Sequence, residues 1–339
     1  MSVHYQEYLQ LDSILQSQKL LTKSHDEMLF VIVHQCYELW FKQIHHDIDS
    51  ICSIFQQNSI PENQLSICLT RIQRINKILE LFVQQLSILE TMDPINFLEF
   101  RGALEGASGF QSFQFRQLEV KLGIDLKNNP FSDAEFYFKA LRDEERQRLS
   151  QLYSNNQANS LFLSLEKWLE RTPFLQIEEY SFWNEYKKSL EKYYQEGVGA
   201  SENTKKNLEV FNCLFDDELY SQLKEKQNRR LSRKATLAGL FIILYKDHPL
   251  LAHPYRLLIS LVDMDELLST WRFRHSIMAH RMIGSKIGTG GSSGHEYLMK
   301  ATMTRRPFLD FFELTTFLIP KENLPELPRK LSDKLNFNY

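Results

Sequence analysis

From Ser24 to Asn58 the chain carries neither glycine nor proline, and its apolar residues return every three or four positions. Phe30, Val33, Tyr37, Trp40, Phe41, Ile44 and Ile48 fall on one broad stripe. That period is the one an α-helix presents to a core and a strand cannot use. Ser24 followed by Glu27 has the form of a capping box. A helix is therefore expected to start there and to run unbroken to about Gln57, before the turn at Asn58 to Pro61. The stripe is wider than a coiled-coil seam, so the helix should be packed on more than one side.

The rest of the chain repeats this pattern. Only 12 glycines and 10 prolines punctuate 339 residues, and few runs alternate with period two. The expected fold class is all-α, a helical bundle. Further helices are predicted over about 61–89, from Pro94 through Phe97, Phe100, Arg101 and Leu104, and over Gln111 to Leu122. The glycine-rich stretch Gly102 to Gly109 should break the second of these. Later helices are predicted over Lys234 to Lys246, Pro254 to Ile283 and His295 to Leu318. Residues from about 131 to 233 are more polar, with charge runs such as Arg142 to Arg146 that read as solvated helix faces. They read as a helical insertion within a single domain spanning 1–339. Glu196 to Asn203 is the best candidate for a flexible loop within it.

Composition narrows the function classes. A formal net charge of -3 argues against nucleic acid as the main partner, because duplex binding needs a clustered cationic face. The N-terminal MSVHYQEYLQLD has no basic region followed by an apolar one. The longest apolar runs, such as Leu237 to Tyr245, fall far short of the ~20 residues that span a bilayer. A cytoplasmic chain without membrane contact is expected. Cys36, Cys52, Cys68 and Cys213 have no paired spacing and read as free thiols.

His34 and His275 are the histidines on the most apolar helix faces. His275 has Trp271, Met278 and Ala279 as its helical neighbours, with Met282 one turn further. Such a face suits either a hydrogen-bonded core histidine or an axial haem ligand, which wants an imidazole in an apolar slot. His34 shares its side with Phe30, Tyr37 and Glu38. His34 and Glu38 could alternatively hold a non-haem metal, but that needs a matching carboxylate–histidine pair on a second helix. His45, His46, Asp47 and Asp49 offer some supply, although adjacent residues point about 100° apart.

Arg101 lies amid aromatics, where a guanidinium is costly unless it meets a carboxylate. Either Glu99 or Glu105 completes an internal ion pair, or Arg101 clamps the carboxylate of a ligand. The stretch Gly284 to Gly294 is neither a P-loop nor a dinucleotide fingerprint, since no GK[ST] follows its glycines and a helix precedes it. It reads as a flexible linker or as a loop that closes over a bound anion.

Four strings in family order carry a resemblance. They are Tyr5 to Asp12, HDEMLFVIVHQCYELWFKQI from His25, FLEFRGALEGASGFQSFQFRQLE from Phe97, and WRFRHSIMAHRMIGSKIGTGGSSG from Trp271. In these the sequence resembles the tryptophan 2,3-dioxygenase family, over roughly residues 5–122 and 235–318. The resemblance implies an all-helical homotetramer, a dimer of dimers, enclosing one haem b (iron protoporphyrin IX) per subunit. It implies conversion of L-tryptophan and O2 to N-formyl-L-kynurenine, the first step of the kynurenine pathway. His275 would be the axial ligand of the haem iron, with His280 off its face and ranked second. His34 would be distal and catalytic, with Phe30 and Leu104 beside the substrate. Arg101 and Thr289 would bind the substrate's carboxylate and ammonium groups. Ser108 and Phe115 would sit near the haem, Ser108 also near bound O2. Tyr5 and Tyr8 would reach a neighbouring subunit's site through exchange of the N-terminal arm. Leu86 stands where some relatives place an aromatic, and Phe97 where some place tyrosine; both exchanges keep apolar bulk.

Overall fold

A computed structural model describes residues 3–104, 106–124, 141–156, 159–172, 176–177, 180–196, 208, 210–286 and 294–336. Apart from one antiparallel pair of two-residue strands, Gln176–Ile177 with Tyr180–Ser181, every regular element among them is helical. The all-α class holds.

Two short helices come first, α1 (Tyr5–Leu9) and α2 (Leu11–Leu15), joined by Gln10 in the left-handed region at φ 53°. The long helix α3 (Asp26–Phe55) follows. Its start corrects the expected capping box. Glu27 is buried, and its carboxylate accepts from the Leu21 and Thr22 backbone N–H groups and from the Thr22 hydroxyl, at 2.7, 2.8 and 2.6 Å. Those donors, the Thr22 hydroxyl foremost, hold its carboxyl below the usual range. Ser24 turns away and donates to Glu99 at 3.0 Å. The acidic residue thus ties down the incoming chain, and the hydroxyl is spent elsewhere.

Helix α4 (Glu62–Leu89) matches its expected bounds. Helix α5 (Pro94–Arg101) begins with Asp93 accepting the Ile95 N–H at 2.8 Å, and with proline where no intrahelical donor is needed. It ends at Arg101, so Leu104 lies in a separate 3-10 turn, Gly102–Leu104. Helix α6 (Phe113–Leu122) is capped by Ser112 and stopped by Gly123 at φ 95°, a conformation that suits glycine. Helices α7 (Asp143–Asn156), α8 (Leu161–Glu170), α9 (Phe182–Glu196) and α10 (Asp217–Gln227) occupy the polar middle of the chain.

Helix α11 (Arg233–Leu244) precedes α12 (Pro249–Ile283). The latter starts ahead of the expected Pro254 and runs through it, so that this proline lies inside the helix and removes the N–H that would reach the Leu250 carbonyl. Helix α13 (Gly294–Thr304) is shorter than the expected His295 to Leu318. Pro307 biases Arg306 away from helical backbone and removes a donor. Asp265 holds the break by accepting the Phe308 N–H at 2.9 Å. Helix α14 (Leu309–Phe312) and a terminal helix α15 (Arg329–Leu335) complete the chain. No single helix among the described residues is long and apolar enough to cross a membrane.

The helices form two units. The first comprises Met1–His46, Ile75–Asn156 and Glu266–Arg306. In it Phe82 packs edge-on against Tyr37 and Phe41, with ring centroids 4.8 and 5.2 Å apart, and the Tyr37 hydroxyl donates to the Phe82 carbonyl at 2.8 Å. A smaller apolar cluster of Val120, Ile124, Leu141, Leu149 and Tyr153 joins α6 to α7. The second unit comprises Asp47–Arg74, Gln157–Asp265 and Pro307–Tyr339. Its core sets Phe182 edge-on to Phe241, ring centroids 5.0 Å apart, and the Tyr186 hydroxyl donates to the Phe317 carbonyl. Arg171 closes the end of α3 by donating to the carbonyls of Phe55 and Gln57.

Candidate functional site

The first unit holds a cavity of about 330 Å³ with a mostly apolar wall. Helix α3 contributes Phe30, His34, Tyr37 and Phe41, four positions on one helical side. Leu86 and Leu89 close it from α4, and Phe97 and Arg101 from α5. Ser108 and Phe115 line it from the following turn and α6. Trp271, His275, Met278 and Met282 line it from α12, and Leu298 and Ala301 from α13. The apolar face that the sequence predicts around His275 is therefore a cavity wall.

His34 donates from Nδ1 to the carbonyl of Phe30 at 2.7 Å, since a carbonyl can only accept. Its Nε2 is left as an acceptor. The Phe30 ring lies 4.1 Å from the imidazole and is itself held by Phe97 and Phe100. Burial pushes the His34 imidazole below the ordinary histidine value, against the pull of the Phe30 carbonyl and Glu38. At neutral pH it is uncharged.

Across the cavity, Trp271 stacks on His275 with centroids 5.7 Å apart and planes 28° apart. Burial, reinforced by His34, pushes the His275 imidazole down to about 4. Among the described residues His275 makes no hydrogen bond. A neutral imidazole that makes no hydrogen bond among the described residues, set in an apolar wall, has a nitrogen that could hold a cofactor.

The non-haem metal alternative finds its ligands already engaged. Glu38 accepts from the Ser112 hydroxyl at 2.6 Å and from Gln114 at 2.8 Å. His45 donates from Nε2 to the Gln114 carbonyl at 2.9 Å, and Asp47 pairs with Arg74 at 2.9 Å. No cluster of three or more His, Cys, Asp or Glu that could hold a metal ion occurs among the described residues.

Other sequence-predicted residues fall in different places. Arg101 ends α5 and lines the cavity, half-buried. Ser108 lines it too, its own N–H donating to Gln111 at 3.1 Å. Phe115 sits between Phe41 and Trp271, at 5.6 and 5.3 Å. Leu104 is not on the cavity wall. It lies in the 3-10 turn Gly102–Leu104 that follows α5. Tyr5 and Tyr8, on α1, are 71% and 75% exposed and line no part of this chain's cavity. His280 is exposed and also off the wall. Thr289 lies outside the described residues.

One feature of the wall escapes sequence reasoning. Glu119 is fully enclosed and receives three guanidinium groups, from Arg116, from Arg272 at 3.4 Å and from Arg305 at 3.0 Å. Desolvation opposes its ionisation, but the three arginines together hold the carboxyl below the usual range. The Arg116 and Arg272 guanidinium carbons lie 4.8 and 6.0 Å from the Phe115 ring, so the cluster backs the wall at that residue. The i, i+3 spacing of Arg116 and Glu119 was its one local signal.

Fold and site define an all-helical protein whose internal pocket brings together two neutral imidazoles, several arginines and a lining of aromatic and aliphatic side chains. A family model described as tryptophan 2,3-dioxygenase matches residues 1–318. Among relatives named tryptophan 2,3-dioxygenase, one from Bdellovibrio bacteriovorus is 43% identical over 99% of both chains. One from Dictyostelium discoideum is 42% identical over 99% of this chain and 89% of its own. One from Xenopus tropicalis is 40% identical over 95% of this chain and 84% of its own. The chain belongs to the tryptophan 2,3-dioxygenase family.

Proposed function

We propose that this chain is a haem-dependent dioxygenase that cleaves the indole C2–C3 bond of L-tryptophan with O2, giving N-formyl-L-kynurenine. Family membership supports the reaction. The observation that carries the cofactor assignment is His275, a neutral imidazole in an apolar cavity wall that makes no hydrogen bond among the described residues. Those properties fit an axial ligand of haem b, which needs an unprotonated nitrogen and dry surroundings. Phe115 and Met278 offer apolar contact to a porphyrin face. When bound, haem supplies the activation of O2 for its addition to the indole.

The chain's own residues bind, orient and exclude water. Phe30 flanks the indole, and the other apolar walls keep water from it. His34 accepts the indole N–H at Nε2, because Nδ1 is already spent on Phe30. That fixes the ring's rotation without requiring His34 to remove a proton from so weak an acid. Arg101 pairs with the substrate carboxylate in a charge-assisted bond worth about 1.5–3 kcal/mol in a shielded site. Thr289 contacts the ammonium and carboxylate groups. Ser108, on the cavity wall, would stand near the haem and O2.

The working form is a cytoplasmic homotetramer, a dimer of dimers, built from single-domain subunits with the variable portion at about 131–233. The exposure of Tyr5 and Tyr8 on α1 supports their reaching a neighbouring subunit's site. Purified, haem-loaded protein given L-tryptophan and O2 should form N-formyl-L-kynurenine, read by mass spectrometry with 18O2. Absence of doubly labelled product would overturn the reading.

A further inference from the structure

We propose that His295 and Ser276 form a clamp that positions His275. The inference rests on the assignment of His275 as the haem ligand. Ser276 follows His275 on α12 and is fully buried, about 100° round the helix from the cavity face. Its hydroxyl donates to the His295 backbone carbonyl at 3.1 Å. In return, His295 Nδ1–H is shared between the Ser276 hydroxyl at 2.9 Å and the Ser276 carbonyl at 3.2 Å. The carbonyl can only accept, so Nδ1 carries the proton and both residues are satisfied reciprocally. The imidazole of His295 also lies 4.6 Å from that of His280, one turn beyond Ser276 on the same helix.

His295 stands in the first turn of α13, which supplies Leu298 and Ala301 to the cavity. The turn of α12 that carries Ser276 also carries His275, Met278 and Ala279 to it. The clamp therefore joins two walls at the point where the ligand emerges. A rotation of α12 that swings His275 off the cavity must break the Ser276–His295 bonds. His275 itself has no hydrogen-bonding partner among the described residues, so its direction is set by its helix and by Trp271. The clamp does for the helix what a hydrogen-bonding partner does for a ligating imidazole elsewhere.

His295→Ala and Ser276→Ala should each lose haem to an apomyoglobin acceptor about tenfold faster than the unaltered protein, the lower end of outer-shell effects. Both should broaden or shift the iron–histidine stretch of the ferrous form in resonance Raman spectra. His295→Asn places an amide N–H where Nδ1–H stood and should restore both readings, whereas His295→Gln should not. Circular dichroism melts of the cofactor-free variants separate loss of fold from loss of positioning. Ser276→Ala keeps a strong helix former should the His295 variants unfold. Unchanged haem loss and an unchanged band in Ser276→Ala, or an Asn variant no better than Ala, would overturn the clamp. A His275→Ala protein that keeps the wild-type iron–histidine band overturns the ligand assignment instead, so the two failures are distinct.

Discussion

His34 spends Nδ1–H on the carbonyl of Phe30, one turn earlier on α3 and 2.7 Å away. The helix thereby fixes both the tautomer and the ring's tilt, and the Phe30 ring at 4.1 Å prevents it from swinging. Only an acceptor remains for the cavity.

Replacing His34 by Ala should therefore cost the substrate one neutral hydrogen bond, up to about 1.5 kcal/mol, or roughly tenfold in kcat/KM. A tryptophan methylated at the indole nitrogen cannot donate, so its kcat/KM should change little between the two proteins. Steady-state kinetics with both substrates check this. An equal fall for both would mean that His34 acts otherwise.

Arg101 closes α5 with its side chain on the cavity wall. Arg101→Leu should raise KM for L-tryptophan about ten- to a hundredfold, the worth of a shielded charge-assisted pair. Indole substrates without the carboxylate should bind the two proteins alike. Equal KM values for L-tryptophan would remove the clamp.

Arg116, Arg272 and Arg305 all converge on the buried carboxylate of Glu119. Glu119→Gln removes the buried carboxylate that these three guanidinium groups share and should destabilise the protein by about 3–5 kcal/mol in urea unfolding. The sign of the pH dependence follows from the lowered carboxyl. Its contribution is present above the ordinary glutamate value of about 4.3 and is lost as pH falls through the folded-state value. Acid unfolding of the wild type should carry this loss, and the Gln variant should lack it.

Much of this was legible in the sequence. The three-and-four period of Phe30, Tyr37 and Phe41, with His34 on the same side, gave a helix and its apolar face, because a helical face is a local property. The same held for Trp271, His275, Met278 and Met282. From that face alone, His275 read as a satisfied core histidine ahead of a ligand. The quantity that separates them, whether a partner from another element reaches the ring, is not local. The Glu119 cluster was illegible for the same reason: Arg272 and Arg305 join it from distant parts of the chain. The capping signal at Ser24 and Glu27 misled because a buried carboxylate found better donors in the preceding turn. Leu104 was misplaced by continuing a helix through Gly102, where the backbone tightens into a 3-10 turn.

Haem titration of cofactor-free His275→Ala beside the wild type is the most direct test of the central claim. The wild type should bind one haem per chain at neutral pH with a normal Soret band. Binding should weaken as pH falls toward about 4, where the imidazole takes up a proton. The variant should bind no stoichiometric haem. A variant that holds one haem per chain with an unchanged Soret band would contradict the assignment of His275 as the iron's ligand.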